Sequence, residues 1–289
     1  MRSVLAAGAA TLFSTCAFAA DLPIAPPPMY APPPPADFGG WYLRGDIGFS
    51  NQRVSSVRST NAALYTPLTS LNQQTGFDSG GIFDVGVGYQ FNSWFRTDFT
   101  AQYRGRSNFK GSDVATFRWA GTTASSMDDY SASKSELLFL ANAYVDLGTW
   151  WCVTPFVGAG VGAARVTVSN FTDNNITNAQ MDANGNPTYV GGPPVASSYY
   201  ASSASRWNFA WAAHAGLAYK VSPSLTLELA YSYVNLGDGY TGPAYAFDGS
   251  GGGHPFKFKD ITSHDLKLGV RWDLDTPPPP PMMPLIRKG

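Results

Sequence analysis

Three histidines, two cysteines, a glycine-rich run and an acid-and-amide run mark where this chain of 289 residues could do chemistry. His264 precedes Asp265, types that serve in hydroxyl-activating dyads. Neighbours in a strand face opposite sides, however, so the pair cannot act together. His214 lies on a polar face with no assignable partner, and His254 lies among glycines. No nucleophile, base and orienting group can be assembled from these residues, so no enzyme is expected. Gly158-Ala159-Gly160-Val161-Gly162-Ala163 imitates a dinucleotide fingerprint, but Pro155 precedes it and no helical period follows. Glycines that make room for side chains facing them in a strand explain the run better. Asp182-Ala183-Asn184-Gly185-Asn186 resembles the start of a calcium loop, yet its twelfth position is Pro193 and not Glu. An Asn-Gly turn is the better account. Cys16 falls in a leader segment, which leaves Cys152 alone and excludes an internal disulfide or a multi-thiolate metal site. No cofactor or metal is expected.

The chemistry that remains is charge, and it is periodic. From His264 to Leu274 the chain alternates: His264, Leu266, Leu268, Val270, Trp272 and Leu274 point one way, and Asp265, Lys267, Gly269, Arg271 and Asp273 the other. A period of two is the mark of a β-strand with different surroundings on its two faces. Seven earlier stretches repeat the pattern: 41–50, 82–91, 94–104, 136–147 (less cleanly, with Leu138 and Leu140 on the polar side), 153–166, 206–220 and 225–234. That makes eight strands. Their polar faces collect Arg44, Arg96, Arg104, Arg206, Lys220, Lys267 and Arg271 against Asp46, Asp84, Asp98, Glu136, Asp146, Glu228, Asp265 and Asp273. So many charges do not suit a lipid surface, and near-cancelling signs suit a filled, ion-paired lumen.

The connections support that assignment. Those at 92–93, 148–152 and 221–224 are short, whereas 51–81, 105–135, 167–205 and 235–260 are long and rich in Ser, Thr, Asn and Gly. Short turns at one end and long loops at the other describe an outer-membrane barrel with periplasmic turns. Trp41, Phe91, Trp94, Trp150, Trp151, Tyr219 and Trp272 fall near one set of strand ends, and Phe49, Tyr103, Trp207, Phe209 and Tyr233 near the other. These form two aromatic girdles.

Met1-Arg2, the apolar run Val4 to Phe13 and Ala17-Phe18-Ala19 read as a signal peptide over 1–20, cut after Ala19 or Ala20. Proline-rich arms follow at 21–38 and close the chain at 275–289, flanking a barrel over 39–274. Such arms are extended spacers. An even strand count puts both termini in the periplasm, with peptidoglycan a candidate partner of the arms. Net charge is −1, which argues against a nucleic-acid partner.

The closing Lys267-x-Gly269-x-x-Trp272-x-Leu274 resembles the assembly signal that the barrel insertion machinery reads on the last strand of outer-membrane proteins. G-G-W-Y-L-R-G-D-I-G-F-S, G-V-G-Y-Q-F, A-Y-V-D-L-G-T-W, T-P-F-V-G-A-G-V-G and L-E-L-A-Y-S-Y-V-N-L-G-D-G resemble the small outer-membrane proteins of alphaproteobacteria, porin-family surface proteins with an OmpA-like barrel, over about residues 38–274. The resemblance implies an all-β, eight-stranded antiparallel up-and-down transmembrane barrel with four long extracellular loops. It also implies a structural envelope role, with lipopolysaccharide contacts and exposed surface loops. A basic cluster, Arg104, Arg106, Lys110, Arg118, Lys134, Lys257 and Lys259, would meet the phosphates of that lipid, set against loop acids Asp113, Asp128 and Asp129. The expectation is a monomer in the cell outer membrane. A surface adhesin or receptor acting through the loops is one alternative, and a small-solute pore is another.

Overall fold

The computed structural model describes residues 39–275 other than 120, 182–186 and 250–252. The leader, both proline-rich arms and the calcium-like run lie outside the described residues. Twelve antiparallel strands form one sheet. They are β1 (Gly40–Arg53), β2 (Ser56–Ser59), β3 (Leu68–Phe77), β4 (Gly80–Gln90), β5 (Phe95–Trp119) and β6 (Thr122–Asp146). Then come β7 (Val153–Met181), β8 (Pro187–Ala201), β9 (Ala204–Lys220), β10 (Leu225–Tyr240), β11 (Ala244–Ala246) and β12 (Phe256–Asp273). Strands β1, β4, β5, β6, β7, β9, β10 and β12 pair in a closed ring, with β1 on β12 and β7 on β9. Eight strands therefore close the barrel, as the alternation predicts.

All three short turns fall at one end. Asn92 caps the first, its Oδ1 accepting from the Trp94 and Phe95 amides at 3.0 and 2.8 Å. Trp151 and Cys152 take positive φ in the second, at 50° and 67°. At the third, Ser222 Oγ accepts from the Leu225 amide at 3.1 Å.

The long connections differ from the loops expected at 51–81, 105–135, 167–205 and 235–260, because most of them continue the ladders. Strand β2 extends β1 along β12, β3 extends β4 along β5, and β8 continues into β9 beside β7. β5 and β6 are 25 residues each and β7 is 29. A tilted transmembrane strand needs only about 9–11 residues. More than half of each long strand thus stands beyond a bilayer, as a β-built crown.

Bulges mark the change. Register shifts fall between Arg104 and Ser107, between Ser131 and Ser133, and around Gly237. Asn170 and Asp260 take positive φ of 52° and 50° on β7 and β12. Each extra residue re-phases its strand. On β5 the inward residues are Arg96, Asp98, Thr100, Gln102 and Arg104 below the bulge, then Ser107, Phe109, Asp113 and Ala115 above it. Below, Phe49, Phe83, Phe99, Tyr103, Phe209, Tyr231 and Leu268 are half or more exposed or nearly so, the wall a lipid would cover. Above, Arg106, Asn108 and Lys110 face out while Phe109, Tyr130, Phe171, Phe256 and Phe258 pack inside. The lower crown has the polarity of a water-soluble barrel, whereas higher up Asp113, Asp128 and Asp173 line the interior and Val114, Met127 and Ile176 are exposed.

Candidate functional site

The interior is built in tiers. At the short-turn end Glu228 is a hub: Oε1 lies 3.0 Å from Arg271 Nη1 and 3.3 Å from Arg96 Nη2, and Oε2 lies 3.4 Å from Arg44 Nη2. Arg44 also reaches Asp46 and Asp98, both at 2.9 Å. The Arg96 guanidinium packs on the rings of Tyr144 and Phe156, 4.2 and 4.8 Å from their centroids, and its Nε lies 3.3 Å from Asp146. One tier up, Lys267 bridges Asp84 at 3.2 Å and Asp46 at 3.9 Å, and Arg104 pairs with Asp265. Higher still, Lys134 pairs with Glu136 and also donates to Gln52.

Glycines clear the space these groups occupy. A side chain at Gly269 would run into the Asp46 carboxylate, and one at Gly160 into the Asn142 amide oxygen. The glycine-rich run on β7 is accordingly a set of inward gaps opposite large β6 side chains, with Gly158 under the Tyr144 ring. No helix follows it, because β7 continues to Met181.

Arg44, Asp46, Asp84, Arg96, Asp98, Arg104, Glu136, Asp146, Glu228, Asp265, Lys267 and Arg271 are brought together inside and are buried. Three expected members are not. Arg206 is exposed and stacks on Tyr240, with 4.4 Å to the centroid. Lys220 is exposed in the last position of β9, where the lumen opens to solvent. Asp273 is half-buried, with its carboxylate 3.8 Å from Arg271 Nε. Lys134, expected on the surface, belongs inside instead. Its two-residue spacing to Glu136 on an alternating strand was the signal for that. The basic surface cluster loses Arg104 to the lumen as well, and Lys257 pairs with Asp238 at 2.8 Å.

His214 does have partners. Nδ1 lies 2.8 Å from Ser232 Oγ and Nε2 lies 3.2 Å from Asn142 Oδ1. The arrangement would activate a hydroxyl if a substrate could reach it, but Ser232 is 0 % exposed in the packed lumen. His264 faces outward and contacts Tyr231 OH at 2.6 Å, on the opposite face from Asp265.

An apolar cluster begins beside the upper charged tiers and continues above them. Leu138, Leu140, Val166, Val234, Leu236 and Ile261 pack beneath Phe109, Phe171, Phe256 and Phe258. The Phe171 and Phe256 rings lie 4.6 Å apart and Phe109 meets Phe258 edge-on at 5.0 Å. Lys267, Gly269, Trp272 and Leu274 split by face: the first two point into the lumen, and Trp272 and Leu274 are 58 % and 52 % exposed outside.

The family model described as outer membrane protein beta-barrel domain matches residues 5–273. An uncharacterized protein of Brucella abortus is 28 % identical over 286 residues, covering 90 % of this chain and 93 % of its own. Outer membrane protein PagN of Salmonella typhimurium is 27 % identical over 209 residues, covering 68 % of this chain and 75 % of its own. Among solved structures, the outer membrane protein OprG of Pseudomonas aeruginosa aligns with 83 % of this chain and 98 % of its own, at 12 % identity and a TM-score of 0.44.

Proposed function

Because the chain belongs to the outer membrane protein beta-barrel domain family and is a protein of the cell outer membrane, we propose that it is a structural, non-conducting, non-enzymatic barrel that supports the envelope. Both termini are placed in the periplasm on this reading, on the side of the short turns. The observation that carries the reading is the filled interior. Six bases (Arg44, Arg96, Arg104, Lys134, Lys267, Arg271) meet seven acids (Asp46, Asp84, Asp98, Glu136, Asp146, Glu228, Asp265) in the lumen, and an apolar tier closes it above. A selective channel would favour one sign and a wetted path. Purified protein reconstituted in planar bilayers is expected to give no steady current. Large, stable openings would replace this reading with the pore.

The outer wall supports lipopolysaccharide as the lipid partner. Arg53, Arg106 and Arg165 are exposed just beyond the apolar belt, and none forms an ion pair among the described residues. Arg53 follows Phe49 by four positions on the same face of β1, and Arg165 follows Val161 likewise on β7. At about 3.3 Å per residue, that is the headgroup level. Guanidinium groups bind phosphate bidentately. Changing all three to Gln is expected to raise sensitivity to detergents and cationic peptides several-fold at equal expression, measured as minimal inhibitory concentration. Unchanged sensitivity would reject the contact. The adhesin reading draws on the crown, whose β-structure would present a fixed surface to a partner.

A further inference from the structure

Beyond the apolar tier the crown surrounds a cavity of about 1210 Å³ that is partly open to solvent. Asp113 of β5, Asp128 of β6 and Asp173 of β7 all line it. Asp113 Oδ2 accepts from Gln73 Nε2 at 3.0 Å and Tyr130 OH at 2.9 Å. Asp128 accepts from Ser126 Oγ at 3.0 Å and Asn175 Nδ2 at 2.6 Å. Asp173 is 5 % exposed, and its buried Oδ1 has no hydrogen-bond partner. Among the described residues no basic side chain forms an ion pair with any of the three. The lumen below is the contrast, since its acids are met by bases.

We propose that this cavity binds an organic cation, an ammonium or guanidinium group carried on an apolar body. A buried carboxylate with an empty acceptor position calls for a donor of positive charge. The walls fit the rest of such a molecule: Tyr65, Tyr199, Phe117, Phe247, Leu68 and Val195 line the same space, and tyrosine faces attract cations. A metal ion fits less well, for no grouping of His, Cys, Asp and Glu among the described residues is arranged to hold one. His254 and Asp248 also line the cavity, Arg58 lies over the Tyr65 ring with its Cζ 5.4 Å from the centroid, and Asp129 turns outward. This site is independent of the conductance reading, and a conducting barrel would leave it standing.

Proton linkage gives the site a signature. Burial, then the neighbouring carboxylates, push Asp128 up to about 7 and Asp173 up to about 8. A cation binds the ionised pair, so it must displace protons at neutral pH. Affinity therefore rises with pH through that window and falls below it.

The test is calorimetric titration of the refolded full-length barrel with phenethylammonium, and with phenethyl alcohol and calcium as comparators. Phenethylammonium is expected to bind, about tenfold more weakly in Asp128→Asn/Asp173→Asn, a loss of roughly 1.4 kcal/mol. Its affinity is expected to fall from about pH 9 to about pH 6. Asp129→Asn is expected to bind as the parent does, with folding of each variant checked by heat-modifiable gel mobility. No binding by the folded parent, equal binding of the alcohol, or stronger binding of calcium would each overturn the proposal. The parent comparison alone decides it should the double variant fail to fold.

Discussion

Replacing Trp272 and Leu274 by Asp is expected to empty the outer-membrane fraction of this protein. Both side chains lie outside the barrel at the short-turn end, where Trp272 is flanked across the ladders by Leu43 and Leu225. The thermodynamic cost of a charge at that depth is small, about 0–1 kcal/mol near a membrane interface. So little could not by itself unfold the barrel. A large loss would therefore report failed recognition by the insertion machinery, and a matched control separates the two causes. Trp41 and Trp94 are each 54 % exposed in the same girdle but lie outside the last strand. Trp41→Asp/Trp94→Asp is expected to reach the outer membrane at close to normal level. Immunoblots of fractionated cells showing equal loss of both double variants would reject a signal in the last strand.

Glu228→Leu is expected to be the most destabilising single change in the lumen. It leaves the guanidinium groups of Arg44, Arg96 and Arg271 facing one another without the acid that all three share. Breaking a buried ion pair by removing one partner typically costs about 3–5 kcal/mol, because the remaining charge is stranded. The midpoint of urea unfolding in detergent, followed by heat-modifiable mobility, should drop accordingly. Adding Arg271→Met should restore part of the loss, since it removes one stranded charge. A drop below about 1 kcal/mol, the worth of an exposed pair, would mean that water fills the lumen and screens it.

The barrel's eight closing strands were legible because they cross the membrane on a period of two, with lipid on one side and, on most of them, charge on the other. Legibility stopped at the bulges. Beyond Arg104 on β5 the inward residues move from even to odd positions, so a reader counting alternate residues sees no strand from 105 onward. Polarity reverses there too, and Ser, Asn and Gly on the outer face of the crown imitate loop composition. Leu138 and Leu140 looked like flaws in a polar face and are instead the floor of the apolar tier. Arg206 and Lys220 obey the alternation of β9, yet strand ends open to solvent and parity does not distinguish an end from a middle. His214 shows the same limit, since Ser232 and Asn142 come from other strands at separations of 18 and 72 residues.

Closing β1 on β12 also fixes an order in time. Tyr42 pairs with Asp273, and Trp41 O accepts from the Leu274 amide at 2.8 Å, so the first strand described waits for the last. Most of the other ladders join strands that follow one another closely and can form as hairpins while the chain is still incomplete. The seam cannot, and ladders of such sequence separation form slowly. Until it shuts, β1 and β12 each offer a bare edge flanked by phenylalanine, leucine and tryptophan, a template for joining other chains. The nascent protein must therefore cross an aqueous compartment with its two stickiest edges unmatched. That exposure is imposed by the geometry of a ring, whatever the finished barrel does.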